Sequence, residues 1–158
     1  MSVLPTGLAY SHRGNPAASL RIEKLYATPV LLSGLCSLVL SETEVSMVHH
    51  EHKLSLERLQ RLLPGTPESV VMFLAGSLPA TGILHLRMLG LLGMIARLGP
   101  DNLLNKHGRD VLLSTNLSSK SWFLSVRQLS NRYHLPDPLK ILQSKHYWKS
   151  ICKSKVID

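Results

Sequence analysis

Cysteine is nearly absent: Cys36 and Cys152 lie far apart with no neighbouring cysteine, so the 158 residues suggest neither a disulfide framework nor a zinc ribbon. A reducing, intracellular compartment fits that usage, with nucleus and cytoplasm both open. Aromatic residues are scarce at 5%, and acids number only ten against eighteen Lys and Arg. No two acids are adjacent, which leaves two-metal chemistry without its converging carboxylates. Phosphate loops (GxxxxGK[ST]), dinucleotide fingerprints (GxGxxG) and a GxSxG nucleophile turn are all missing. So are alternating strand patterns and internal repeats. The N-terminal stretch MSVLPTGLAYSHRGNPAAS lacks the basic start and apolar run of a secretory signal. The longest apolar stretch, residues 83–99, is interrupted by His85, Arg87 and Arg97, which is wrong for a membrane span of about 20 apolar residues.

What is present is a leucine-rich chain, 44% apolar and long enough for one domain with a real core. Its net charge of +8 and pI near 9.8 permit a polyanionic partner. The excess is concentrated late: residues 101–158 hold ten basic groups and four acids.

The punctuation is helical throughout. Residues 19–39 read as a first helix with Pro29 as a kink or break. Ser41 and Glu44 have capping-box spacing, and Val45, Val48, His52, Leu56, Leu59 and Leu63 then follow steps of three and four up to Pro64 and Gly65. Glu57 and Arg61 are expected as an ion pair on the wet side of that helix. Thr66 and Pro67 open a short helix through VVMFLAG, with Pro67 expected at the first helical position. Residues 79–98 are apolar on nearly every side, which predicts a helix buried mid-bundle, with Gly90 and Gly93 admitting a close neighbour. Shorter helices are expected at 101–106 and 108–114. Trp122, Val126, Leu129 and Tyr133 form the next seam, and PDP at 136–138 precedes a terminal helical pair. The expectation is an all-α, irregular bundle of about seven or eight helices. It divides into a flexible segment at 1–18, a main helical region at 19–135 and a basic C-terminal segment at 136–158.

The densest group of metal-ligating side chains is HHEH, residues 49–52. A helical zinc protease needs His at i and i+4 with Glu at i+1, a spacing that HHEH does not provide. His49 and His52 could share a face, but zinc needs further ligands that no pattern locates. The plainer reading is a partly buried His52 on the apolar seam, flanked by solvated neighbours. Cys36, in an apolar run, reads as a small core residue and not as a nucleophile. No metal, cofactor or small-molecule substrate is expected, and a metal-dependent enzyme would rest on HHEH alone.

The basic C-terminus is the stronger signal. Lys145, Lys149 and Lys153 recur every four residues beside Tyr147 and Trp148. On a helix such a stripe could neutralise phosphates while Trp148 packs on a base or sugar. The alternative is a solvated lysine face over a core tryptophan.

Three stretches, SLRIEKLYATPVLLSGLCSLVLSETEV (19–45), LERLQRLLPGTPESVVMFLAGSLPATGILHLRMLGLLGMIARLG (56–99) and SWFLSVRQLSNRYHLPDP (121–138), resemble reverse transcriptases of non-LTR (LINE-like) retrotransposons. The matching region lies directly after the polymerase palm, and the likeness includes PTGLAYSHRGNP at 5–16. The resemblance implies a helical thumb and following segment, a pad that grips the template and primer backbone and helps hold the element's RNA. The family's catalytic aspartates lie upstream of this region and have no counterpart here, so no catalytic role carries over. Nor do His146 and Cys152 match the family's cysteine and histidine knuckle, which needs two further ligands. The resemblance therefore implies a catalytically inert fragment of a truncated element copy, with at most weak, sequence-independent binding to an RNA or DNA backbone. A helical protein-interaction module without a nucleic-acid role is the competing expectation. Either way, a thumb without its palm should leave apolar surface uncovered and prone to self-association.

Overall fold

The computed structural model describes residues 15–114, 120–143, 152 and 154–156. The described residues are all-α, with eight α-helices and no strand. Helix α1 is Pro16–Ile22, capped by the Asn15 side chain, which accepts from the Ala17 N–H at 3.0 Å. It therefore begins inside the segment expected to be flexible. Pro29 cannot donate to the carbonyl four residues back and its ring crowds that position. The turns before it widen into a π-helical stretch, Glu23–Ala27, leading into α2, Thr28–Leu31. Gly34, at φ +77°, then ends the helical run well short of residue 39 and leads into a 3-10 turn, Leu35–Ser37.

Helix α3, Glu42–Gln60, opens with the expected capping box: Ser41 Oγ accepts from the Glu44 N–H while Glu44 Oε2 accepts from the Ser41 N–H at 2.7 Å. Its C-terminus lies at Arg61, in the left-handed region, where the Leu62 N–H bonds back to the Glu57 carbonyl. Leu63 consequently leaves the helix and is exposed. Helix α4, Glu68–Ala75, has Pro67 as its N-cap residue, one place earlier than expected, and ends on Gly76 at φ +56°.

Helix α5, Ala80–Arg97, does not bury every side. Leu84, Leu89, Leu92, Ile95 and Ala96 are buried, whereas Gly90, Met94 and Arg97 are exposed along the opposite stripe. A Cβ added at Gly90 would meet nothing within 4 Å, so Gly90 serves no close approach. Gly108 does serve one. It sits within α6, Leu103–Leu113, which runs unbroken where two short helices were expected. A Cβ there would come to 2.5 Å from Phe123 Cε1 on α7, Trp122–Arg132. Helix α8, Pro138–Gln143, follows, with the Asp137 carboxylate accepting from the Leu139 N–H at 2.8 Å and holding Arg127 at 3.3 Å.

The chain divides into two compact units. Unit 1 is 1–33 with 40–81, and unit 2 is 34–39 with 82–158. In unit 1, α3 packs against α1 and α4 around Leu56, Val71, Met72 and Ala75. Gln60 ties α4 on by donating to the Leu56 and Val71 carbonyls. In unit 2, α6, α7 and α8 pack on one another, and their core includes Leu92, Leu112, Val126 and Leu142. The segment 34–39 joins unit 2 through Trp122, whose indole N–H donates to the Cys36 carbonyl at 2.7 Å. No single described helix is long and apolar enough to cross a membrane.

Candidate functional site

HHEH does not converge on a metal. Successive positions on α3 point in different directions, so His50 and Glu51 are exposed while His52 is completely buried beside Leu56. His49 Nε2 instead reaches across to Glu68 Oε2 at the start of α4, at 2.8 Å. Among the described residues there is no group of three or more His, Cys, Asp or Glu side chains able to hold a metal ion.

The pair expected on the wet side of α3 is also rearranged. Glu57 is 4% exposed and bonds Lys53, one turn earlier, at 3.3 Å, while Arg61 is taken up by the helix terminus. Glu57 faces inward because Leu56 and Leu59 flank it on the buried arc. Unit 1 thus encloses three titratable side chains: Glu23, His52 and Glu57. Burial pushes the Glu23 carboxyl above its usual range, with a hydrogen bond from Ser55 opposing the rise. Burial, helped by His49, holds His52 below its usual value, and neither of its ring nitrogens has a hydrogen-bond partner among the described residues. A neutral imidazole and a carboxyl biased toward its neutral form are the low-cost way to keep such groups inside.

In unit 2 the closest pairing of reactive groups is His85 with Tyr133. The His85 Nδ1 and Tyr133 Oη atoms lie 2.7 Å apart, with the rings edge to face. Burial and then Arg132 keep His85 low, while burial raises Tyr133. The result is a neutral imidazole against a protonated phenol, an arrangement suited to fastening α5 to the end of α7. A tyrosinate nucleophile would need the opposite shift. Asn105 and Ser130 are also buried in unit 2, and the Asn105 amide donates toward the Leu142 and Ile95 carbonyls at 3.4 and 3.5 Å.

Lys145, Trp148, Lys149 and Lys153 lie outside the described residues. Near them, Cys152 belongs to the unit 2 core, its thiol pushed up to about 12 by burial, and Val156 packs against that core. Cys152 is therefore inert at neutral pH. Ser154 and Lys155 are exposed.

Charge separates the two units more sharply than any cluster does. Unit 1 holds six basic and six acidic residues and is neutral, whereas unit 2 holds twelve basic and four acidic residues and carries the whole net charge of +8. Exposed cations on the described part of unit 2 include Arg97, Lys106, Lys120, Arg132 and Lys155. Sequence alone locates this excess only in the last third of the chain. Its true boundary depends on contacts that no local pattern marks.

No protein-family model, curated protein or solved structure matches the chain.

Proposed function

We propose that this chain acts by binding and not by catalysis, as a helical grip on the nucleic-acid backbone comparable to the post-palm region of a LINE-like reverse transcriptase. The observation that carries this reading is the segregation of charge: one unit is neutral and the other bears the entire positive excess. A polyanion gains most from a unit in which cations outnumber acids by three to one, because each phosphate neutralised releases condensed counterions. The arrangement favours no particular base sequence, since its contacts are to the backbone. Within unit 2 the proposed contact residues are Lys145, Lys149 and Lys153, with Trp148 stacking on a base or sugar. RNA is the first partner to test and DNA the second.

The test is fluorescence anisotropy with unrelated single-stranded and duplex RNAs. Changing Lys145, Lys149 and Lys153 together to Glu should weaken binding about equally for every sequence and lower the salt slope by roughly 0.7 to 0.9 for each phosphate no longer neutralised. Trp148→Ala should cost roughly 1–3 kcal/mol per stacked base with the circular dichroism unchanged. Unaltered binding by the folded triple variant would refute the role of these lysines.

The second reading, a helical protein-interaction module, is favoured by a specific feature of unit 1. Val70, Phe73 and Leu74 on α4 are all exposed, and Phe73 is 83% so.

A further inference from the structure

Helix α4 has two faces of opposite assignment. Val71, Met72 and Ala75 are buried against α3, while Val70, Phe73 and Leu74, spaced i, i+3 and i+4, form a second apolar stripe that nothing among the described residues covers. Such a stripe normally lies against another helix. Leu63, just before α4, is 82% exposed, and Leu25, Tyr26 and Val30 on the neighbouring π-helical stretch and α2 are exposed as well. The two regions are fastened where Lys24 Nζ donates to the Gly76 carbonyl at 2.9 Å. These large exposed apolar side chains lie on α4 and on the segments that adjoin it.

We infer that the α4 face is a homodimer contact, with α4 of a second copy packed antiparallel across a twofold axis. Three observations select that occupant. Unit 1 has no net charge, so two copies meet there without the repulsion that +8 would impose on a contact through unit 2. The stripe is self-complementary, as a twofold contact requires, because the same three side chains must serve on both sides. The ends of the helix are oppositely charged: Glu68 stands at its N-terminus and the Lys24 ammonium at its C-terminus. Antiparallel pairing sets Glu68 against the partner's Lys24 twice over, whereas parallel pairing sets like against like. The helix dipoles favour the same orientation.

This contact stands independently of nucleic-acid binding, and salt distinguishes the two. The contact is mainly apolar and its two Glu68–Lys24 pairs are exposed, so added salt should leave the dimer nearly unchanged. The same salt weakens binding to phosphate. If both hold, a dimer offers two basic units to one strand and gains avidity without a new contact to it.

The experiment is sedimentation velocity of the full chain at micromolar concentrations, with Phe73→Glu and, as control, Leu103→Glu, an equally exposed leucine in unit 2. Phe73 is too exposed for its replacement to unfold α4, and circular dichroism verifies this. The parent chain and Leu103→Glu should be dimers, while Phe73→Glu should be a monomer. Its dimer dissociation constant should rise roughly a hundredfold or more, because both copies lose the anchor. Orientation is read from charge swaps: Glu68→Lys should weaken the dimer, and adding Lys24→Glu should restore it. A monomeric parent chain, or a Phe73→Glu chain that still dimerises, would overturn the contact. A double swap that fails to recover would overturn its antiparallel sense.

Discussion

Thirteen buried apolar residues form the main core of unit 2, against four in unit 1, although the described parts of the two are similar in length. Unit 1 makes up the difference with polar groups. It encloses Glu23, His52 and Glu57, while unit 2 buries no carboxylate, imidazole or ammonium among its described residues. Both units leave large apolar side chains in solvent, Phe73, Leu63 and Tyr26 in unit 1 and Leu103, Leu104 and Leu113 in unit 2. Unit 1 thus encloses ionisable groups where unit 2 relies on apolar packing and carries the whole net charge. That contrast orders the expected effects of mutation.

The largest should come from unit 2. Leu92 is fully buried, so Leu92→Ala should destabilise that unit by about 3 kcal/mol through forfeited transfer energy and a residual cavity. Amide exchange should accelerate in α6, α7 and α8 and stay nearly unchanged in α3 and α4. Equal acceleration in both would mean that the units unfold as one block and would break the comparison.

Gly108→Ala should come next. The added methyl would sit 2.5 Å from the Phe123 ring, and the strain, about 1–3 kcal/mol, outweighs the roughly 1 kcal/mol by which alanine favours a helix. Thermal melting should show net destabilisation. The same change at exposed Gly90, where nothing lies within 4 Å, should stabilise α5 instead.

A smaller, pH-dependent effect belongs to unit 1. Because the folded state raises Glu23 above 4.5, it holds the proton more tightly than the unfolded chain does. That contribution is complete below 4.5 and is lost as pH rises through the raised value. Above that raised value the buried carboxylate is a cost, and Glu23→Gln should stabilise unit 1 there. The gain should vanish in denaturant melts below 4.5. His52 acts in the other sense: held below 6.5 when folded, it lowers stability as pH falls beneath that value. His52→Leu should flatten this limb of the profile.

The smallest expected change is Glu68→Gln. It weakens a half-exposed contact with His49 and should shift the stability of unit 1 by only a few tenths of a kcal/mol. A larger shift at concentrations where the chain is dimeric would reflect disruption of the pairing with the partner's Lys24, and dilution separates the two causes.

The all-α class, the capping box at Ser41 and the seam through Val126 and Leu129 were legible because each is set within one or two turns of helix. So was the burial of His52, which followed from its place on the apolar step of α3. Other features were hidden by distance along the chain. Nothing local reveals that Gly108 faces Phe123, that His85 meets Tyr133 48 residues on, or that Cys36 accepts from Trp122 86 residues on. Glu57 misled because i, i+4 spacing to Arg61 looks like a surface pair, yet the helix ends at Gln60 and Arg61 turns away. The wide apolar coverage of α5 was read as all-round burial, when part of it is the exposed stripe at Gly90 and Met94.

The most direct test of a neutral, self-associating unit joined to a basic, phosphate-binding one is a single sedimentation series. The full chain is run alone and with a short RNA while ionic strength is raised stepwise. RNA binding should decline linearly on a log–log plot, by roughly 0.7 to 0.9 per phosphate contact, while self-association holds. RNA binding indifferent to salt, or self-association that collapses together with it, would contradict the division of labour.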